Sequence, residues 1–168
     1  MPPVLVTDTS VIVNFLRIRQ LPLLGQHPSR IVITDHIRAE ISRRWQDQWE
    51  YFDQACRDGI VECHQVENAA AHDLFRRLNG DAQLGCGESE AIAYAITHDY
   101  AIATDDKWAI HHARRLAPEL DFHTTQDLVV ALIRGNKLDI SAADAMKDEW
   151  AARHRFRLKI GSFAELVG

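Results

Sequence analysis

The sequence predicts an α/β fold with a short, mostly parallel central sheet. Three observations lead there. Short β-branched and aliphatic runs recur at Val4-Leu5-Val6, Ile31-Val32-Ile33, Ile60-Val61-Glu62-Cys63 and Tyr100-Ala101-Ile102-Ala103. Stretches of helical periodicity separate them, the pattern of parallel strands joined by crossover helices. Two of the runs, the first and Tyr100–Ala103, end directly in acidic residues, Asp8 and Asp105-Asp106. Parallel sheets bind ligands outside the carboxyl ends of their strands.

Each element follows from local chemistry. Val4-Leu5-Val6 reads as a buried strand. It runs into Thr7-Asp8-Thr9-Ser10 and a helix marked by Val11, Ile12, Phe15 and Leu16. Pro22, Gly25 and Pro28 break the chain. Ile31-Val32-Ile33 is extended, and Thr34 or Asp35 caps a helix through Ile37 and Ile41 that carries Glu40. Residues 45–57 read as further helix, with Trp45, Trp49 and Phe52 on one side. Asp58-Gly59 precede the candidate strand 60–63. Ala69–Leu78 is an amphipathic helix, Asn79-Gly80-Asp81 a turn, and Gly85-Cys86-Gly87 the opening of a helix over 88–98. The strand Tyr100–Ala103 is followed by a helix over 107–116, stopped by Pro118. Asp121-Phe122-His123 forms a last short strand, and Thr124 or Thr125 caps a helix over 125–134 that ends at Gly135. Ser141 starts a helix over 142–152. The tail Arg153–Gly168 is basic, then mixed.

A chain of 168 residues fits one domain with a real core. No linker divides it, so residues 1–168 are read as a single domain, with a core over about 4–130 and a helical, basic extension over about 136–168. Hydrophobic residues at 46% and charged residues at 26% exclude a disordered or fibrous chain. A net charge of −5 argues against a surface that grips nucleic acid everywhere, because phosphate binding rests on Lys and Arg. It leaves room for a basic rim around an acidic centre. Cys56, Cys63 and Cys86 are odd in number and form no C-x-x-C pair, which indicates neither a disulfide framework nor a zinc knuckle and makes the cytoplasm the expected location. No signal peptide or membrane-length apolar run is visible, so no membrane association is expected.

The acids carry the chemistry. In a parallel sheet Asp8 and Asp105-Asp106 share one rim. Glu40 lies beside Ile41 and one turn from Ile37. At 100° per residue Glu88 falls on the stripe formed by Ala91, Ile92, Ala95 and Ile96, and Glu90 points almost opposite, to the surface or to a supporting role. A carboxylate on a core-facing stripe is costly without a partner, and several on one rim repel one another. A hard cation such as Mg²⁺ or Mn²⁺ relieves both, and phosphodiester hydrolysis is the chemistry that uses such a centre.

Plainer readings compete. Asp8 can cap the following helix, Glu88 can serve the helix dipole, Asp105 can cap or turn, and Glu40 can be solvated among Arg38, Arg43 and Arg44. The nine histidines include no zinc spacing. The pairs Arg43-Arg44, Arg76-Arg77 and Arg114-Arg115 read as solvated faces. The stretch Arg153-His154-Arg155-Phe156-Arg157-Leu158-Lys159 grips RNA or a partner, or packs as an amphipathic tail. Trp45, Trp49 and Phe52 read as core or dimer interface rather than a base-stacking platform.

Asp8-Thr9-Ser10 after a strand, an acid on the second helical stretch, Gly87-Glu88-Ser89-Glu90-Ala91-Ile92-Ala93-Tyr94-Ala95, and Ala103-Thr104-Asp105-Asp106 together resemble PIN domains. The likeness is to the compact prokaryotic kind that includes VapC-type toxins, and it runs from about residue 4 to about 130. The resemblance implies a three-layer α/β/α sandwich, a Mg²⁺ or Mn²⁺ centre and endoribonuclease activity on single strands. It implies catalytic acids at Asp8, Glu40, Glu88 and Asp106, with Asp8, Glu88 and Asp106 as metal ligands. Ser10 or Thr9 would be a nearby hydroxyl, and Thr104 the hydroxyl before the last acid. Asp105 and Glu90 would support, or replace, their neighbours Asp106 and Glu88. The family's third acid is commonly Asp where this chain has Glu. An antitoxin protein and a homodimer are further expectations from the resemblance. The alternative is a PIN-fold RNA- or protein-binding module without activity. A haloacid-dehalogenase-type phosphatase would need Asp-x-Asp after the first strand, where this chain has Asp8-Thr9-Ser10. A receiver domain would need an accepting Asp that has no place here.

Overall fold

The computed structural model describes residues 1–81 and 84–168, with Asp81 described by its backbone alone. Among the described residues, five strands form one parallel sheet: β1 (Val4–Thr7), β2 (Arg30–Thr34), β3 (Glu62–His64), β4 (Ala101–Ala103) and β5 (Phe122–His123). Their order is β3-β2-β1-β4-β5. β1 lies in register with β2 through Val6 and Val32, and with β4 through Thr7 and Ala103. The two crossovers leave β1 and β4 in opposite directions, so a crevice opens at their carboxyl ends.

Helices flank the sheet, giving α/β/α layers: α1 (Thr9–Arg17), α2 (Leu21–Leu24), α3 (Asp35–Arg44), α4 (Trp49–Arg57), α5 (Ala69–Asp81), α6 (Cys86–His98), α7 (Lys107–Leu116), α8 (Thr125–Arg134), α9 (Ile140–Arg153) and α10 (Ala164–Val167). Parallel strands are covered on both faces, which is why Val6, Val32, Ile33 and Ile102 are wholly buried and their strands read as continuous apolar runs. One hydrophobic core extends from Leu5 to Phe163.

Several elements depart from the sequence expectation. Leu21–Leu24 is helical, because Pro22 sits in its first turn, where the missing N–H costs nothing. Residues 45–57 are not one helix: Trp45 leaves α3 at φ −128°, a 3₁₀ turn covers Gln46–Gln48, and α4 follows. Asn79-Gly80-Asp81 is the last turn of α5, packed along α6, and not a turn between elements. The Asn79 amide donates to the carbonyl of Leu84 (2.8 Å). Asp139, not Ser141, caps α9 by accepting from the Ala142 amide (2.6 Å). Thr124 caps α8 in a reciprocal box with Asp127.

The C-terminal segment is built into the body. Trp150 of α9 is wholly buried, meets Phe15 edge-on at 5.8 Å, and donates its indole N–H to the carbonyl of Asn14 (2.7 Å). Phe163 is buried, and the Asp144 carboxylate accepts from its amide (2.8 Å) and from the Ser162 hydroxyl (2.6 Å). Among the described residues, no helix is long and apolar enough to cross a membrane.

Candidate active site

β1 delivers Asp8 to the crevice. Its amide donates to the carbonyl of Ala103 (3.0 Å), extending the β1–β4 ladder by one residue. Asp8 then caps α1, accepting from the Val11 amide (3.1 Å). The same carboxylate accepts from the Ser10 hydroxyl (2.7 Å) and, through its other oxygen, from the Thr104 hydroxyl. Capping and site membership therefore coexist at one residue. Asp8 is 1% exposed, and burial outweighs these three hydrogen bonds and lifts its pKa from 3.8 to about 6.

β4 delivers the acidic pair, whose members take different posts. Asp105 is saturated: it accepts from the Thr125 amide (2.9 Å) and hydroxyl (2.6 Å) and from the Asn14 amide (3.0 Å). Those bonds tie α1, β4 and α8 together beneath the crevice. Burial still raises its pKa. Asp106 caps α7, taking the amides of Trp108 (2.8 Å) and Ala109 (3.3 Å) on one oxygen. Its carboxylate also lies within hydrogen-bonding reach of Glu88.

Glu88 stands in the first turn of α6, half-buried. Desolvation, the Asp106 carboxylate and the charge of Asp8 together lift its pKa to about 7. Two carboxylates in hydrogen-bonding contact need a proton or a cation between them.

Glu40 reaches the crevice from α3. It accepts from the Thr9 hydroxyl (2.8 Å) and pairs with Arg44 one turn along (2.8 Å). Gly87 permits this: a Cβ there would stand 3.0 Å from the Glu40 carboxylate and 3.4 Å from Ile37. The glycine before Glu88 thus brings α6 against α3.

Glu90 is elsewhere. It was expected opposite Glu88, at the surface or in a supporting role; it is 6% exposed, because α6 is enclosed by the sheet, α3 and α5 and is buried from Gly87 to Ala95 apart from Glu88 itself. The apolar stripe therefore did not separate an inner from an outer face. Glu90 accepts from the His36 amide (3.1 Å) and pairs with the His36 ring. It caps α3 from a distance of 54 residues in sequence. Thr34, at the N-cap position, makes no such bond, and its buried hydroxyl is unpartnered among the described residues.

These groups line a cleft of about 460 Å³. Asp8, Glu40, Glu88 and Asp105 form its acidic part, and Asp106 meets it through Glu88. Arg17, Arg44 and Trp45 lie along one side, and His154, Arg155 and Phe156 of the C-terminal segment also line it. The sequence reading missed Asn14, Arg17 and Trp150. Asn14 had a signal, as a lone amide inside the apolar run of α1 that is only 5% exposed. The oxygen-only donors and the proton or cation demanded by Glu88 and Asp106 fit a hard divalent ion. Among the described residues, no three His, Cys, Asp or Glu side chains are close enough to ligate one ion as they stand.

A family model described as a PIN domain matches residues 4–165. The chain belongs to the PIN-domain family. The match extends beyond residue 130, where the recognisable motifs stop, and takes in α9 and most of the C-terminal segment. The fold of this PIN domain is similar to the crystal structure of PAE2754 from Pyrobaculum aerophilum, with a TM-score of 0.56 and 10% identity. That likeness covers 80% of this chain and 92% of the other. No curated protein matches the sequence. PIN domains are in general nucleases that use divalent metals and bind nucleic acid, and that is the class to which this fold points.

Proposed function

We propose that this PIN domain is a metal-dependent endoribonuclease that hydrolyses phosphodiester bonds of RNA. The observation that carries the reading is the pairing of Glu88 with Asp106 near buried Asp8, whose charge Glu88 feels, at the switch of strand order. Asp8, Glu88 and Asp106 would hold Mg²⁺ or Mn²⁺, with Glu40 as the fourth acid. Ligation calls for a side-chain adjustment that brings the three together. When bound, the ion lowers the pKa of an attacking water and stabilises the leaving oxygen. The chain's own groups orient and exclude. Ser10 and Thr104 fix the Asp8 carboxylate, Asp105 locks α1 to α8 beneath it, and Glu90 fixes the start of the helix that bears Glu40. Asp105 and Glu90 have their oxygens committed to these partners, which favours Asp106 and Glu88 as the ligands.

The biological setting that fits is a cytoplasmic toxin, homodimeric, restrained by a small antitoxin protein that fills the cleft. The extension over 136–168 acts with the core as one domain. The test is cleavage of a panel of structured and single-stranded RNAs with Mn²⁺, Mg²⁺ or EDTA, by wild type, Asp8→Asn and Glu88→Gln. Metal-dependent cutting lost in both variants is the expected result. A folded wild type that binds Mn²⁺ and RNA but cuts nothing would make it a binding module instead.

A further inference from the structure

Two arginines of the cleft are unexplained by the acids around them. Arg17, at the end of α1, and Arg155, after α9, both line it, yet neither has a carboxylate partner among the described residues. Other arginines do pair: Arg44 with Glu40, Arg38 and Arg57 with Asp53, and Arg30 with Glu62. Arg17 instead lies over the Trp45 ring, 5.8 Å from its centroid, a ring that Arg44 also approaches at 4.9 Å. Arg155 is exposed and adopts a left-handed backbone, φ +54°, unusual for a side chain other than Gly or Asn. The turn is held on both sides. The amides of His154 (3.0 Å) and Phe156 (3.2 Å) both donate to the Trp150 carbonyl, and the Phe156 ring meets Trp150 edge-on at 5.5 Å. The backbone that carries Arg155 is thus fixed beside the cleft that the residue lines.

We infer that Arg17 and Arg155 form a clamp for the phosphates of a single polynucleotide strand that flank the phosphate held at the acids. The clamp rests on the nuclease reading above and adds the substrate's path to it. Each arginine has a ring of the same cleft as neighbour, Trp45 in space for Arg17 and Phe156 in sequence for Arg155. Cations and aromatic rings in one cleft suit a chain of phosphates and bases. An acidic peptide offers the charge without the flat rings. Trp45, which spacing alone assigned to core or dimer interface, is half-buried at the cleft with Arg17 over its ring.

The test uses an Asp8→Asn background, so that RNA stays intact, and a fluorescein-labelled single-stranded RNA of mixed sequence. Binding is followed by anisotropy across a salt series, with Arg17→Gln, Arg155→Asn and the remote Arg57→Gln added in turn. Asn tolerates the left-handed backbone, so Arg155→Asn removes the charge and keeps the turn, which a thermal melt verifies. Each phosphate contact on a single strand contributes about 0.7 to the slope of log affinity against log salt. Arg17→Gln and Arg155→Asn should each lower that slope by about 0.7 and weaken binding about three- to tenfold. Arg57→Gln should change neither. An unchanged slope in both cleft variants, with the parent still binding RNA, overturns the clamp and leaves the nuclease reading intact. A parent that binds no RNA even at low salt overturns the clamp, and cleavage by the wild type then decides the nuclease reading by itself. Poly-glutamate binding that depends on Arg155, with RNA binding indifferent to it, overturns the clamp in favour of a protein ligand.

Discussion

Replacing Asp8 by Asn should shrink the contrast in stability between the metal-free and metal-bound protein, by an amount that follows from the site. Asp8 titrates near 3.8 when unfolded and at about 6 when folded, chiefly because burial disfavours its charge. Between those values the folded state holds a proton that the unfolded state has released. Its stabilising contribution is therefore complete below about pH 4 and is lost as pH rises through about 6. The full difference corresponds to about 3 kcal/mol. Asn carries no charge, so in EDTA the wild type should lose about 2 kcal/mol more stability than Asp8→Asn between pH 4.5 and 8, the first ~1 kcal/mol of the full difference having gone by pH 4.5. Hydrogen bonds that Asn makes less well with Ser10, Thr104 and the Val11 amide shift the whole Asn curve by a constant and cancel in the comparison. The lowered pKa of His27 gives an opposite slope near pH 6 in both proteins and also cancels. The assay is urea denaturation at half-unit pH steps, with chelator and again with saturating Mn²⁺. In Mn²⁺ the order should reverse at pH 8, the wild type gaining from an ion that Asp8→Asn binds poorly. Parallel pH curves for the two proteins in EDTA would refute the account of Asp8.

Other substitutions separate the roles of neighbouring residues. Glu88→Gln should raise the Mn²⁺ dissociation constant at least tenfold in calorimetry with little loss of stability, while Glu90→Gln should cost about 1–3 kcal/mol in denaturation by loosening the start of α3 and leave Mn²⁺ affinity nearly unchanged. Asn14→Ala should destabilise by about 1–3 kcal/mol, since it frees buried oxygens of Asp105 and Thr125. Gly87→Ala should keep the fold, shown by an unaltered circular dichroism spectrum, and lower any RNA cleavage about tenfold by displacing Glu40 a few tenths of an ångström. Cleavage in Mn²⁺ should rise between pH 5 and 8, as Asp8 and Glu88 lose the protons that compete with the ion; a profile falling over that range would contradict their assignment.

What the sequence disclosed depends on how local each signal is. The helices over 107–116 and 125–134 have the bounds that Pro118, Gly135 and the Thr124-Thr125 pair mark, because caps and breakers act within a turn. Asp8 and Asp105-Asp106 were legible as one rim because the strand–acid juxtaposition is written in adjacent residues and parallel topology does the rest. Burial on α6 was not legible. Its surroundings are three other elements, and a helix enclosed on all sides shows no stripe that sorts Glu88 from Glu90. Glu90's cap on α3 pairs residues 36 and 90, and no period along the chain encodes such a partner. The division of labour within Asp105-Asp106 was hidden for the same reason, since it is set by Asn14 and Thr125 on one side and Glu88 on the other. Trp45 escaped its helical pattern because the helix stops at that residue and turns it toward the cleft.

The bond from the Trp150 indole to the Asn14 carbonyl also orders events during synthesis. The ribosome makes all five strands and every acid of the cleft before it makes residues 150–156. Until those residues emerge, α1 lacks the ring that packs against Phe15, and Arg155 and Phe156 are not yet present at the cleft. A chain still attached to its own messenger therefore carries an unfinished substrate path, and the part of the molecule that completes the path is translated after the whole sheet and the acids it serves.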